Sequence, residues 1–434
     1  QRTVSVMTEK TDVIYQPAFL VGDVFVKCDF LVANGQGKYD LIEVKAKNTI
    51  RKSTKAEPLL DDLTADVSIQ HRALKKALGE LYSGKCFIAH LNKEYIKHGP
   101  INPRLLIATE EVTEECMSDD LVEMILKTMR ESLSLPLEQL NARYPYDGTD
   151  HMSYFGTPAP KKSLWSIPRL SAGKKMELYE QGKVKIEDFD MMDIESLKSS
   201  KGEPTAASTH VEKRQEAEMV ADTESIRAEL STLSYPLYFY DYETINGPVP
   251  VIEWTSPRQQ VVVQYSLHKI QADGSYTHHE ALIHPGEQSN KRLLQQMIHD
   301  MDNTEQWSYI VRYKGFESTR NSERGMMFPE YKDALDRINS RTFDLMEIFS
   351  KQLYIHRDFE GSSSIKKVLP VLTDISYDNM AVPNGWVAMD LLMRMFLGEF
   401  DRIALQTVEK NLLEYCKQDT WAMVRIWEEL TKIV

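Results

Sequence analysis

The sequence predicts an α/β protein built as two successive units, and three observations carry that expectation. Residues 1–135 combine short apolar runs with long amphipathic stretches, residues 230–434 do the same, and 136–229 between them read as a helical connector, punctuated by Pro, Gly and Lys over 136–200, and a flexible linker. At 434 residues the chain exceeds one typical domain, and 42% hydrophobic residues suffice for more than one core.

In the first unit Val13-Ile14, Phe19–Val21, Val24–Val32 and Asp40–Val44 read as strands. Asp61 to Leu81 reads as an amphipathic helix, with Leu63, Val67, Leu74, Leu78 and Leu81 on or near one stripe. Cys86–Leu91 and Leu105–Ile107 are further strands, followed by a helix near Asp119–Leu133. Residues 136–200 resemble a small helical connector. Ser199 to Gln215 is polar, with almost nothing to bury, and is expected to be a flexible linker. The second unit has strands at 237–241, 260–268 and 308–313, and a closing helix from Leu405 to Leu430.

Whole-chain properties narrow the class. With 52 basic and 65 acidic residues the net charge is −13, which argues against a passive, charge-driven nucleic-acid binder. Bound metal ions and local basic patches can still hold phosphates. There is no apolar run of about 18 residues, so no membrane span is expected. The N-terminus, Gln1-Arg-Thr, lacks both Met and a signal-peptide pattern, and is expected to be a processed or trimmed end. Cys28, Cys86, Cys116 and Cys416 are scattered without CxxC spacing, which suggests reduced thiols in a cytoplasmic protein and neither a disulfide frame nor a zinc site.

The chemistry concentrates in two constellations. Asp241-Tyr242-Glu243 ends the apolar run Pro236–Tyr240. Residues two apart on a strand face the same way, so both carboxylates aim at one spot, as a divalent cation requires. Glu317 follows a strand and the turn Arg312-Tyr-Lys-Gly, at a strand end or helix start. Tyr415 and Asp419 are four apart on the closing helix and share a face. Gly361-Ser-Ser-Ser-Ile-Lys366 opens a short helix, where Ser364 and Lys366 suit a phosphate or nucleic-acid grip. In the first unit, two strand-like segments join through the turn Asn34–Gly37. Asp29 lies on the first, while Glu43 and Lys45 share a face of the second. Two acids and a lysine so placed suit one metal and an activated water. Gln70 lies on the following helix.

The order Asp241-x-Glu243, Glu317 76 residues after Asp241, then Tyr415-x-x-x-Asp419, resembles the DEDD exonucleases of the tyrosine subtype. That resemblance implies two Mg²⁺ or Mn²⁺ ions held by Asp241, Glu243, Glu317 and Asp419, with Tyr415 orienting the attacking water. The third acid of that superfamily is usually Asp. Here it is Glu317, with Asp344 in Arg341-Thr-Phe-Asp-Leu345 as the alternative. Asp29, thirteen intervening residues, then Glu43-Val-Lys45 resembles the core of PD-(D/E)XK nucleases, and Gln70 the glutamine of RecB-like members.

Nearly the full length is similar to a bacterial family of fusion proteins that join a RecB-like PD-(D/E)XK (restriction-endonuclease-like) module to a DnaQ-like (DEDDy, RNase H-like) exonuclease domain. Ile14–Phe19, Ile42–Lys45, Leu237–Glu243, Gln264–His268, Phe316-Glu317, Asp344-Leu345, Gly361-Ser362 and Val368–Pro370 join the residues above in carrying it. It implies a metal-dependent 3′→5′ exonuclease acting on DNA, in repair or antiviral defence. The alternative is a catalytically weakened nucleic-acid-binding scaffold, motivated by Glu317 and by N-terminal elements missing from the RecB-like pattern. RecB-like members often hold an iron–sulfur cluster through cysteines, but Tyr144–Asp147 and Gly148 offer none, so no cluster is expected.

Overall fold

The computed structural model describes residues 11–52, 58–136, 162–287, 289–301 and 307–434. Tyr144–Gly148 lie outside them. The protein is mixed α/β with mixed sheets, and it divides into two compact units. The first comprises residues 1–136 with 246–259, and the second 137–245 with 260–434.

In the first unit, strands β1 (Val13–Tyr15), β2 (Ala18–Val21), β3 (Val24–Lys27), β4 (Phe30–Ala33), β5 (Tyr39–Lys45), β6 (Tyr82–Leu91) and β7 (Ile107–Glu111) form a five-stranded sheet, β1-β4-β5-β6-β7, and a separate β2-β3 hairpin. The β4–β5 pair is antiparallel and β5–β6 is parallel. A parallel neighbour requires a crossover, and the Asp61–Leu78 helix supplies it. Its buried Leu63, Val67 and Leu74 join Leu31, Leu41 and Ile88 in the core.

Two expected strands differ. Val24–Val32 breaks at Cys28-Asp29, because β3 pairs with β2 while β4 pairs with β1 and β5. Asp29 therefore sits in a bend between strands. Leu105 lies in the short Pro103–Leu106 helix, with Asn102 accepting from the backbone N–H of Arg104, and β7 starts only at Ile107.

The second unit adds β8 (Met219–Ala221), β9 (Leu237–Ile245), β10 (Val261–Ile270), β11 (Tyr276–Leu282), β12 (Ser308–Val311), β13 (Thr342–Asp344) and β14 (Tyr354–His356). Its main sheet runs β11-β10-β9-β12-β13. β9, β10 and β11 are antiparallel neighbours, whereas β12 is parallel to both β9 and β13. Every residue of β9 is buried. The Arg402–Lys432 helix packs on the Phe239/Asp241 face, with the Phe239 and Trp427 ring centroids 5.9 Å apart. On the other face the Tyr242 hydroxyl donates to Asn321 at 2.8 Å.

The expected linker is a correction. Ala206–Glu216 is a helix capped by Thr205, and it buries Ala207, His210, Val211 and Arg214. Ala207 and Val211 share a core with Leu164, Leu178, Ile186 and Phe189. His210 pairs with Gln352 at 3.0 Å, and β8 pairs with β14. The few apolar residues suffice because they fall on one helical face. Gly361 has φ +73°, and a Cβ there would lie 1.6 Å from the Ser166 carbonyl oxygen, so the turn before the Ile365–Leu372 helix requires glycine. No helix among the described residues is long and apolar enough to cross a membrane.

Candidate metal centre

Four acids from three elements converge in the second unit. Asp241 and Glu243 come from the buried central strand β9. Glu317 comes from the first turn of the Lys314–Met327 helix, and Asp419 from the closing helix. That last helix is started by Asp401, whose Oδ1 accepts the backbone N–H groups of Ile403 and Ala404 at 2.9 and 2.8 Å.

The acids are buried and short of partners. Both oxygens of Asp241, Oε1 of Glu243, Oε2 of Glu317 and Oδ2 of Asp419 are buried without a hydrogen-bond donor, as is the Tyr415 hydroxyl. Native proteins rarely leave buried polar atoms orphaned, because each forfeits its hydration. Burial, opposed by the nearby Arg312 charge, pushes the Asp241 carboxyl up to about 6. Burial and then the Asp241 charge push Glu243 and Glu317 well above the usual carboxylate range. Such a cluster of orphaned carboxylate oxygens is the donor set that Mg²⁺ or Mn²⁺ takes, so these residues fit a divalent metal. The Cys416 thiol also lies within 4.8 Å of ligand atoms of Asp241 and Glu243, but burial keeps it protonated.

Asp344 is placed differently. Its Oδ2 accepts the Lys314 N–H at 2.9 Å and its Oδ1 accepts the Met346 N–H at 3.0 Å. It thereby caps the start of the helix that carries Glu317, and its carboxylate is already spoken for.

Three side chains complete the site, two of which the sequence patterns did not single out. Tyr377 donates its hydroxyl to Asp419 Oδ1 at 2.5 Å. Arg312, immediately after β12, brings Nη2 to 3.2 Å from Asp241 Oδ2 and 3.5 Å from Asp419 Oδ2. The paired strands β9 and β12 could have signalled it, since Ile310 opposes Phe239 and two residues further Arg312 reaches the level of Asp241. Nothing local marks Tyr377, which is 42 residues from Asp419. The third is Lys366, whose ammonium lies 4.9 and 5.2 Å from the Tyr377 and Tyr415 ring centroids and donates to the Pro383 carbonyl at 2.6 Å. Ser364 lines an adjoining cleft of about 440 Å³ with Glu243, Arg312, Tyr313, Phe316, Glu317 and Trp386.

The N-terminal constellation also converges, but its Glu43 and Asp66 carboxylates are already partnered, and only the Gln70 Oε1 is buried without a donor. Lys45 Nζ donates to Glu43 Oε1 at 2.7 Å and to Asp66 Oδ2 at 2.6 Å. Gln70 Nε2 donates to Glu43 Oε2 at 3.0 Å and to Asp66 Oδ1 at 2.9 Å. Asp29 accepts the Val44 N–H at 2.8 Å. Burial raises the Glu43 carboxyl, against the bonds from Lys45 and Gln70. Burial also works against the Lys45 charge, yet its two carboxylate partners hold the ammonium above its usual range. Asp66 was not anticipated from the sequence, although its place one turn before Gln70 was the available signal.

The cysteines are less scattered than their spacing suggested. Donor atoms of His71, Cys86 and Cys116 lie within 4.8 Å of one another. Hydrogen bonds already engage this cluster, since His71 Nδ1 is 2.8 Å from the Tyr82 hydroxyl and 3.0 Å from Cys86 Sγ.

Residues 238–364 match a family model described as a domain of unknown function, DUF2779. The chain is 30% identical over 207 residues to the uncharacterized protein MG366 homolog of Mycoplasma pneumoniae, covering 43% of this chain and 31% of that protein. Uncharacterized protein MG366 of Mycoplasma genitalium is 27% identical over the same shares, and uncharacterized protein UU173 of Ureaplasma parvum is 26% identical over 45% of this chain and 31% of its own length. The chain thus spans about a third of the length of these curated relatives. No solved structure matches.

Proposed function

We propose that the chain is a metal-dependent nuclease whose second unit hydrolyses phosphodiester bonds of DNA from the 3′ end. The observation that carries this reading is the set of orphaned, buried oxygens on Asp241, Glu243, Glu317 and Asp419 around the unpartnered Tyr415 hydroxyl. On this reading the second unit is an RNase H-like DEDDy domain and the first a restriction-endonuclease-like PD-(D/E)XK domain. The central position of acid-bearing β9, between β10 and β12, fits the former. The crossover helix between β5 and β6, which brings Gln70 to Glu43, fits the latter.

The four acids hold two Mg²⁺ or Mn²⁺ ions, which when bound supply an acidified water and neutralise charge on the leaving oxygen. The residues of the chain do the rest. Tyr415, with no competing partner, offers its hydroxyl to orient the attacking water. Tyr377 fixes one oxygen of Asp419 and leaves the other free. Lys366 sets a positive charge beside the acids, where a scissile phosphate needs one. The exposed rings of Tyr313 and Trp386 line the cleft and offer faces on which unpaired bases stack. In the first unit, every carboxylate oxygen of Glu43 and Asp66 already accepts from Lys45 or Gln70, which favours a DNA-holding platform over a second active site.

The test is cleavage of a 3′-labelled single strand, DNA or RNA, with Mn²⁺ or Mg²⁺. The expected result is stepwise release from DNA, lost by about 10³-fold or more in Asp241→Ala and retained in Glu43→Ala. If the native protein binds the strand but cleaves neither nucleic acid with either ion, the scaffold reading replaces this one.

A further inference from the structure

Arg312 stands among the four acids, and its geometry is unusual for a structural ion pair. A guanidinium normally grips a carboxylate with two parallel N–H bonds. Here a single nitrogen, Nη2, is shared between Asp241 at 3.2 Å and Asp419 at 3.5 Å. Neither contact has hydrogen-bond geometry, since both Asp241 oxygens and Asp419 Oδ2 remain without a donor. The arginine neutralises these acids without being locked to them.

Its placement points outward. The Arg312 side chain is 26% exposed, whereas those of Asp241 and Asp419 are 0% exposed. Arg312 therefore caps the acids on the cleft side, from which a substrate phosphate must arrive. Arginine is also the side chain best matched to phosphate oxygens. The charge count agrees. In the deprotonated form that metal ligation requires, four carboxylates against Arg312 and Lys366 leave two net negative charges, which one divalent cation cancels. A second cation needs further negative charge, and a phosphate brings it.

We propose that Arg312 is a displaceable counter-ion: it limits the resting site to one divalent cation and admits the second when a nucleotide phosphate draws its guanidinium away from Asp241 and Asp419. This rests on the metal-dependent reading above and adds to it an order of loading.

The test titrates Mn²⁺ into the chelator-treated full chain, reading bound ion by calorimetry and by the free-Mn²⁺ paramagnetic signal, with and without thymidine 5′-monophosphate. Sites that survive in Asp241→Asn/Asp419→Asn are subtracted. The native chain should bind one Mn²⁺ alone and two with the nucleotide. Arg312→Gln should bind two without it, and Arg312→Lys, which keeps the charge, should bind one. Two ions in the nucleotide-free native chain, or one in Arg312→Gln, would overturn the counter-ion role and leave the metal site standing. No subtractable Mn²⁺ in any form at millimolar concentration would remove the metal-dependent reading as well. If Arg312→Gln does not fold, the native titration decides alone, since an unchanged count with the nucleotide contradicts the proposal.

Discussion

The two clusters both gather carboxylates beside basic side chains and are left in opposite states. Around β5, both Glu43 oxygens have a donor, and Lys45 and Gln70 also engage Asp66. Around β9, four buried acids keep orphaned oxygens, and the nearest cation is only loosely held. A closed ion network is compatible with simple structural stability. An open one carries a desolvation cost of several kcal/mol that folding alone does not explain, which supports the proposed cation site. Carboxylates at metal-ligand spacing are thus not diagnostic in themselves. What separates the clusters is whether a lysine and an amide have already answered them.

That contrast can be broken in several ways. The largest expected effect is on rate. Tyr415→Phe should slow Mn²⁺-dependent cleavage by about 10²–10³-fold. Because the hydroxyl has no partner, the melting temperature should hold. A matched drop in melting temperature would make Tyr415 a packing residue instead.

Next comes metal protection. Mn²⁺ at about 100 times its dissociation constant should stabilise the native chain by about 2.7 kcal/mol, and should do so no longer in Asp241→Asn/Asp419→Asn. Protection that survives in that variant but vanishes in Glu43→Gln would move the metal to the first unit.

The closed network should instead show up as stability. Lys45→Met leaves Glu43 buried without a counter-charge, at a cost of about 2 kcal/mol in denaturant unfolding once the partial exposure of Lys45 and Asp66 is discounted. The opposite sign is expected at the open site. Asp241→Asn should stabilise the metal-free chain by about 1 kcal/mol, because it removes one of several mutually repelling buried acids.

Acid should affect the two units alike. Burial lowers His71 in the first unit from 6.5 to about 4, and His268 in the second from 6.5 to about 3. An unfolded histidine takes a proton below pH 6.5 while these folded ones stay neutral. Stability is therefore complete above 6.5 and lost as pH falls toward 4 and 3, on the order of 1 kcal/mol per histidine at pH 5.5. His71→Gln and His268→Gln should each flatten the fall in urea midpoint between pH 7 and 5.5, and a steeper fall in either would reverse the sign assigned here.

The sequence by itself determined what depends on near neighbours. Period-two geometry puts Asp241 and Glu243 on one side of β9, and a four-residue step puts Tyr415 and Asp419 on one face of the closing helix. The crossover helix of the first unit was legible in its spaced leucines and valines, and its C-terminus is at Leu78. The 206–216 helix was misread because burial there comes from a partner core, contributed by residues 164–197, which local polarity does not reveal.

Only the tertiary structure decided which acids meet and which are answered. It tied Asp344 to the Lys314 and Met346 amides and left Glu317 beside Asp241. It brought Tyr377 and Arg312 to Asp419, and Asp66 to Lys45. The physical reason is the range of the interactions. Backbone periodicity is set within a few residues, whereas the state of a buried carboxylate depends on donors that strand pairing and helix packing bring from tens to hundreds of residues away.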